Sequence, residues 1–343
     1  MPRFVWAIVG VAIAAGAIFL APMLLARRAP APAETPQTLV VVSYDATREL
    51  FESLNQAFAR GHPGARIAMS HGGSGAQARA VLAGLRADVA LLASAYDIDR
   101  LAQAGLVNAE WPGAYPQNAT PFYSTVVLVV RAGNPRNIRD WNDLVREDVS
   151  VITPNPHTSG GGRWNYLAAW AYAAREGGED SAHAFVTRLY ANAPVMDSGA
   201  RAAATTFTQR NIGDVLIAWE SEAYLALAAA GEGRLEIVTP SLSIRAEPPV
   251  ALIARNAEAH GMTELADAYI RFLYTPAAQE IAAQHNFRPT DASALAARQY
   301  PAMDLVTVES AFGGWEAANA AHFASGAAFD QIMLARDDVE ERG

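Results

Sequence analysis

The segment Val149-Ser-Val-Ile-Thr-Pro-Asn-Pro-His-Thr-Ser-Gly-Gly-Gly-Arg-Trp164 constrains this chain more than any other. Its β-branched start ends at Ile152, and Pro154 and Pro156 prevent a helix immediately after it. Ser159 and three glycines come next. An apolar helical pattern then begins at once with Trp164, Leu167, Ala168, Ala171 and Tyr172. The segment reads as a strand, a rigid loop and a helix that opens with uncovered peptide N–H groups. Glycine has no side chain to shield those groups, so an anion can reach the backbone and the positive end of the helix dipole together. A single loop of this kind is most often a plain helix cap.

The same grammar recurs twice. Arg66–Ser70 reads as a strand, followed by His71-Gly-Gly-Ser74-Gly75 and a helical run from Ala76 to about Leu85. Val195-Met196 leads into Asp197-Ser-Gly-Ala-Arg201 and a helix to about Gln209. Three Ser-Gly steps thus stand where a strand or turn feeds a helix. They predict several helix N-termini converging on one small anion.

With 343 residues the chain can build two lobes of ordinary size. It has no cysteine, which excludes disulfides, thiolate metal sites and cysteine nucleophiles. It has no lysine either, which removes Walker-type phosphate loops, Schiff-base enzymes and Ser-x-x-Lys catalysis. A net charge of −9 argues against nucleic acid. Residues 1–36 carry three arginines and one glutamate, so the remaining body is more acidic still. Bulk attraction cannot recruit an anion here; local dipoles must.

Phe4 to Ala26 is an uncharged run preceded by Arg3 and closed by Arg27-Arg28. As a helix at ~1.5 Å per residue it reaches ~35 Å, enough to cross a bilayer. Cleaved signals have shorter apolar cores and Ala31-Pro32-Ala33 is a poor cleavage site, so residues 1–28 read as an uncleaved signal-anchor. Residues 29–37 form an extended Pro/Ala-rich tether of ~28 Å.

In the body, Leu39–Tyr44 reads as a buried first strand, with Asp45 as N-cap of the next helix, whose Leu50, Leu54 and Phe58 share one face. Asp88–Leu92 and Val215–Trp219 are further buried strands. Tyr123–Arg131 and Ile244–Ile253 read as crossings between lobes. Strands alternating with helices predict an α/β fold of mainly parallel sheets, with ligands at the carboxyl ends of the strands.

The seven histidines show no metal-ligand spacing, and no metal or cofactor is expected. Gly73-Ser-Gly-Ala-Gln-Ala78 fits a dinucleotide fingerprint with Asp97 as ribose partner, yet any strand–Gly loop–helix junction generates that pattern. His71-Gly-Gly echoes an esterase oxyanion loop, but Ala76 breaks a nucleophile elbow around Ser74. Ser74 and Ser159 are capping hydroxyls on the plain reading and ligand donors on the sharper one. Trp219 can point its indole N–H into a cleft from a strand end. Asp45 and Arg201 read as loop-bracing residues. Neither a carboxylate pair nor a Ser/His/Asp spacing stands out, so the chain reads as a binding protein rather than an enzyme. A serine hydrolase using Ser74 or Ser159 and a dinucleotide-binding oxidoreductase are the rivals of another class. A site rich in donors and poor in acceptors favours a fully ionised tetrahedral dianion. A phosphate that keeps a proton would face a donor with it, at about 1–3 kcal/mol per mismatch.

Val42-Ser-Tyr-Asp-Ala-Thr-Arg-Glu-Leu50, Ser70-His-Gly-Gly-Ser-Gly75, Ala95-Tyr-Asp97, Val151-Ile-Thr-Pro-Asn-Pro156, Ser159-Gly-Gly-Gly-Arg-Trp-Asn-Tyr-Leu167, Asp197-Ser-Gly-Ala-Arg201, Gly213-Asp-Val-Leu-Ile-Ala-Trp-Glu220 and Phe312-Gly-Gly-Trp315 together resemble the periplasmic sulfate-binding proteins of ABC importers. The resemblance runs in order from about Leu39 to Ile332. It implies a type II periplasmic binding protein of two lobes, each with a central mainly parallel sheet, joined by a two-strand hinge. The lobes would comprise residues 38–122 plus 246–312 and residues 123–245. Residues 313–335 would pack across them, and 336–343 would form a charged tail. The implied contacts to sulfate, or to thiosulfate or another oxyanion such as molybdate, are Ser74 from the first lobe, then Ser159, Gly160, Gly161, Ala200 and Trp219 from the second. Asp45 and Arg201 would brace the peptides behind them. The implied partners are a membrane permease and its ATPase, and the implied location is the periplasm, with residues 4–26 as tether to the inner membrane. Ala46 stands where the family usually has proline and Gly162 where alanine is common, both expected to be harmless.

Overall fold

Short runs of β-branched and aliphatic residues alternate here with amphipathic helices, and such runs become strands covered on both faces. The computed structural model describes residues 37–340. The expected membrane segment over 4–26 and residues 29–36 of the tether lie outside them. Among the described residues, no helix is long and apolar enough to cross a membrane. The strands are β1 (Gln37–Tyr44), β2 (Ala65–Gly72), β3 (Val89–Leu91), β4 (Phe122–Arg131), β5 (Val151–Ile152), β6 (Val215–Trp219), β7 (Leu235–Val238), β8 (Leu242–Ala246), β9 (Val250–Leu252), β10 (Arg288–Pro289) and β11 (Asp304–Val306).

They form two sheets, one in the order β2-β1-β3-β9 and the other β11-β8-β4-β6-β5, with β7 and β10 also paired to β4. The chain passes from the first sheet to the second at β4 and returns between β8 and β9. Parallel pairing joins β1 to β3, β5 to β6 and β8 to β11. Antiparallel pairing sets β4 against β6, β7, β8 and β10, and β9 against β3. Each sheet is therefore mixed, with β4 as the spine of the second and buried along all but its last residue.

The helices that matter for the site are α1 (Arg48–Gly61), α2 (Ser74–Leu82), α3 (Ala95–Gln103), α4 (Gly160–Ala191), α5 (Ala200–Thr208) and α6 (Glu220–Ala230). Leu50, Phe51, Leu54 and Phe58 of α1 are buried, as their spacing requires. Asp45 is not the N-cap of this helix. It begins a short 3-10 turn, Asp45–Thr47, that intervenes between β1 and α1. The buried Thr47 hydroxyl bonds the Tyr44 carbonyl at 2.7 Å and Ser43 Oγ at 2.6 Å, which fixes this turn and leaves the Asp45 carboxylate free to face elsewhere. Val195 makes one bridge to Ile152 rather than a strand. The short β5 gives it little edge to pair with before Pro154 and Pro156 remove the next donors.

α4 runs through a kink at Gly178, where φ is 78°. Its Tyr166 and Trp170 pack against His322, Tyr166 also packs against Phe323 and Phe329, and Phe329 and Ile332 are fully buried. Burial holds His322 down at about 4, so this ring stays neutral within the aromatic cluster. The segment after residue 312 is thus fastened to α4 by apolar contact.

One buried ion pair locks the junction where β6 becomes α6. Arg288 donates through Nε to Glu220 Oε2 at 2.7 Å and through Nη2 to Oε1 at 3.1 Å, with side chains 6% and 2% exposed. Glu220 follows Trp219 directly, so this fork also holds the end of the strand that carries Trp219. Arg288→Met would leave a buried carboxylate without its partner. It is expected to destabilise the protein by roughly 3–5 kcal/mol in denaturant unfolding. A loss below about 1 kcal/mol would show the pair to be solvated.

Candidate functional site

One narrow cavity collects the ends of several elements. Tyr44, Asp45 and Ala46 reach it from the end of β1, Ala93 from beyond β3 and Trp219 from the end of β6. Ser74, Gly160 and Gly161, and Ala200 come from the first turns of α2, α4 and α5, and Glu222 from the first turn of α6. Carboxyl ends of strands and amino ends of helices meet there, as an α/β arrangement dictates. The cavity is nearly filled by its own walls, with a volume of only about 10 Å³. That is less than the roughly 300–1,000 Å³ typical of pockets for organic ligands, and it suits a small ion better than a nucleotide. Among the described residues, no group of three or more His, Asp or Glu could hold a metal.

The peptides at this cavity are donors without helical partners. Residues in the first turn have no carbonyl four positions back within the helix, so the N–H groups of Ser74, Gly160, Gly161 and Ala200 are left over. Ser159 is the N-cap of α4, its Oγ accepting from the Gly162 N–H at 3.2 Å. Its hydroxyl proton remains available. The loop before it is held by Asn155, whose N–H donates to the Asp197 carbonyl and whose carbonyl accepts from Ser159 N. Asn165 Nδ2 donates to the Ile217 carbonyl at 2.9 Å, tying α4 to β6 and setting Gly161 relative to Trp219.

Ser74 differs from the capping hydroxyl expected. Gly73 is the N-cap of α2, and Ser74 is its first residue. The Ser74 hydroxyl donates to Asp97 Oδ2 at 2.6 Å and accepts from Ala93 N at 3.0 Å. Both of its hydrogen-bonding roles are committed inside the protein, and only its peptide N–H is left for the cavity. Asp97, weighed as a ribose partner, instead accepts from Ser74 and Ser94.

Trp219 is 1% exposed, and its indole N–H is buried without a partner. The Tyr44 hydroxyl is likewise buried and unpartnered, its ring 5.4 Å from that of Trp219. Such groups are rare because leaving one unpaired costs about 1–3 kcal/mol. A Cβ placed on Gly161 would lie 3.5 Å from Ala200 Cβ, 3.5 Å from Ser159 Oγ and 3.9 Å from Trp219 Nε1, which measures how tightly these donors are gathered.

Acceptors are present too, against expectation. The Asp45 carboxylate lies beside Gly199, its Oδ2 2.9 Å from where a Cβ there would stand. Glu222, not singled out from sequence, lines the cavity at 7% exposure. Burial, with the Asp45 charge acting in the same direction, pushes the Glu222 carboxyl up to about 8. At neutral pH it carries its proton and is a donor, so the wall stays donor-rich even though it contains two carboxyl groups. Arg201 does not line this cavity. It lines an outer hollow with Glu49 and Glu222, and its Nη2 donates to Glu49 Oε2 at 2.7 Å, bridging α5 to α1. Nothing in the local pattern around Glu222 marked it, because only packing brings α6 onto the cavity.

Residues 39–288 match the family described as bacterial extracellular solute-binding protein. The chain belongs to this family. It is 50% identical over 305 residues to a sulfate-binding protein of Escherichia coli (strain K12), covering 86% of this chain and 92% of that one. It is 44% identical over 309 residues to a thiosulfate-binding protein of Pseudomonas aeruginosa, covering 88% and 93%. The solved structure of the sulfate-binding protein SubI from Mycobacterium tuberculosis H37Rv superposes with a TM-score of 0.77 at 34% identity, over 84% of this chain and 99% of that one. The fold is that of a type II periplasmic binding protein, and the chain is a solute-binding protein rather than an enzyme.

The glycine run contains one position where a side chain has no room. A Cβ on Gly162 would stand 2.5 Å from the Pro154 carbonyl oxygen and 2.9 Å from the Asn155 carbonyl carbon, both stiff backbone. Glycine is accommodated here, whereas alanine would require the Pro-Asn-Pro loop to shift. Gly162→Ala is expected to lower stability by roughly 1–3 kcal/mol, read as a lower Tm. An unchanged Tm would show that the Pro-Asn-Pro loop yields freely.

Proposed function

We propose that the protein captures one sulfate between its two lobes, outside the cytoplasm, and delivers it to the membrane permease and ATPase of an importer. The observation that carries this reading is the buried, unpartnered indole N–H of Trp219 in the wall of a cavity ringed by the first-turn peptides of three helices. The names of the sulfate- and thiosulfate-binding relatives support it. The contacts assigned are the N–H groups of Ser74, Gly160, Gly161 and Ala200, the Ser159 hydroxyl and Trp219 Nε1. Each bond to the dianion contributes about 1.5–3 kcal/mol, and several together offset its dehydration. Asp45 braces the Gly199–Ala200 peptide, and Arg201 ties α5 to α1. The lobes are taken as 38–122 with 246–312, and 123–245. Residues 4–26 tether the body to the inner membrane, which fractionation of cells expressing the native protein tests directly.

Thiosulfate is the second reading, favoured by the 44% identical thiosulfate-binding relative. One sulfur in place of one oxygen alters a single contact. Calorimetry on the purified full chain is expected to show tight sulfate binding and little phosphate binding, and competition between sulfate and thiosulfate orders those two. Tight phosphate binding without a response to sulfate would reject the proposal. Trp219→Phe is expected to weaken sulfate by roughly 1.5–3 kcal/mol, the worth of a hydrogen bond to a charged group. A loss under about a tenth of that would remove Trp219 from the site. Gly160→Ala tests closure separately. Its Cβ would stand 2.4 Å from Ala93 Cβ in the opposing lobe, so affinity is expected to fall about tenfold or more, the cost of one overpacked contact.

A further inference from the structure

Glu222 is an odd resident for the wall of an anion cavity. It sits in the first turn of α6, three positions after Trp219, and belongs to two spaces at once. On one side it lines the cavity that holds the unpartnered Trp219 and Tyr44 groups. On the other it lines the outer hollow formed with Glu49, Arg201, Thr205 and Thr208. Among the described residues, no hydrogen bond or ion pair engages its carboxyl group. The nearby cation, Arg201, donates to Glu49 instead, at 2.7 Å. The second carboxylate of the cavity, Asp45, comes from the turn after β1 and stands beside Gly199.

We propose that Glu222 is a specificity-determining residue that binds the oxyanion only while it holds a proton, so that anion capture is linked to proton uptake in the cavity wall. This rests on the reading of the cavity as an oxyanion site. The physical reason is crowding of like charge: a dianion, the Asp45 carboxylate and an ionised Glu222 cannot share one narrow, largely desolvated space without large cost. With its proton, Glu222 becomes one more donor toward the anion or toward Asp45. Without it, Glu222 repels both. The groups that face Glu222 are Tyr44 from β1, Asp45 from the turn, Glu49 from α1 and Arg201 from α5. Burial and Asp45 push the Glu222 carboxyl up to about 8, while Arg201 pulls the other way. The Tyr44 hydroxyl is pushed up, first by burial and then by Glu222, and stays neutral throughout the relevant range. The outer hollow gives the carboxyl a route to solvent protons that does not pass through the anion.

Linkage sets the sign. A bound dianion favours the protonated acid, so the Glu222 pKa of the complex lies above that of the free protein. Affinity is then level below about pH 8 and falls as pH rises through that value, by up to about tenfold per pH unit. Sulfate carries no titrating proton in this range, so the profile reports on the protein alone.

The experiment is calorimetric titration of the full chain with sodium sulfate from about pH 6.5 to about pH 9.5, in pairs of buffers with different ionisation enthalpies. The expected result is a Kd that is constant to about pH 8 and then rises, with uptake approaching one proton per sulfate at the alkaline end. Glu222→Gln is expected to flatten the profile and abolish proton uptake, and Glu222→Asp to keep both. A flat wild-type profile with no proton uptake overturns the linkage while leaving sulfate capture intact. A Glu222→Gln variant that retains the wild-type slope overturns the assignment to this residue. Absence of any sulfate response at every pH overturns the oxyanion reading, and the linkage with it.

Discussion

The structure depends on peptide N–H groups that the helices themselves cannot use. Every helix leaves its first-turn donors unpaired, and most proteins give them to side-chain caps or to water. Here the starts of α2, α4 and α5 line one narrow cavity together with the indole of Trp219. Neutral donors held in a low-dielectric space act more strongly on a charge than they would in water, and they need no reorganisation to do so. An acidic protein can in this way hold an anion without lysine and without placing an arginine in the wall of the cavity.

Holding those donors in register is the task of the two sheets. β6 is fixed by its pairing with β4 and β5, by Asn165 from α4 and by the buried Arg288–Glu220 fork just past its end. The Pro-Asn-Pro loop is stiffened by its prolines and pinned to Asp197, which ties the turn before α4 to the turn before α5. Across the cleft, close approach is possible only because side chains are small: Gly160 meets Ala93 and Ser74, and Trp164 donates its indole N–H to the Ala93 carbonyl at 2.6 Å. The Arg201–Glu49 pair adds a polar clasp at the outer rim, exposed enough to contribute about 1 kcal/mol or less.

The carboxyl groups refine this picture. Asp97 takes up the Ser74 hydroxyl, so that only the peptide N–H of this serine is left for the cavity. The Asp45 carboxylate stands beside Gly199, just before the start of α5. Burial pushes the Glu222 carboxyl up to about 8, which favours its uncharged form in the cavity wall.

Much of this was legible from residue order alone. The alternation of apolar runs with amphipathic helices specified an α/β fold, because the periods of strand and helix are properties of the local chain. The Ser-Gly steps marked the helix starts for a similar reason: glycine and N-cap residues act within one turn. Tertiary structure decided the rest. Asp45 became a wall residue rather than a cap because the buried Ser43–Thr47 bond imposes a 3-10 turn. Ser74 lost its free hydroxyl to a residue 23 positions away. Glu222 entered the cavity only when α6 packed against β4 and α5, and its raised pKa comes from desolvation, which no local pattern encodes. Sequence determines what a segment can offer, since propensity and capping are short-range. Which offer is taken up depends on distance and burial, and those exist only once the chain has folded.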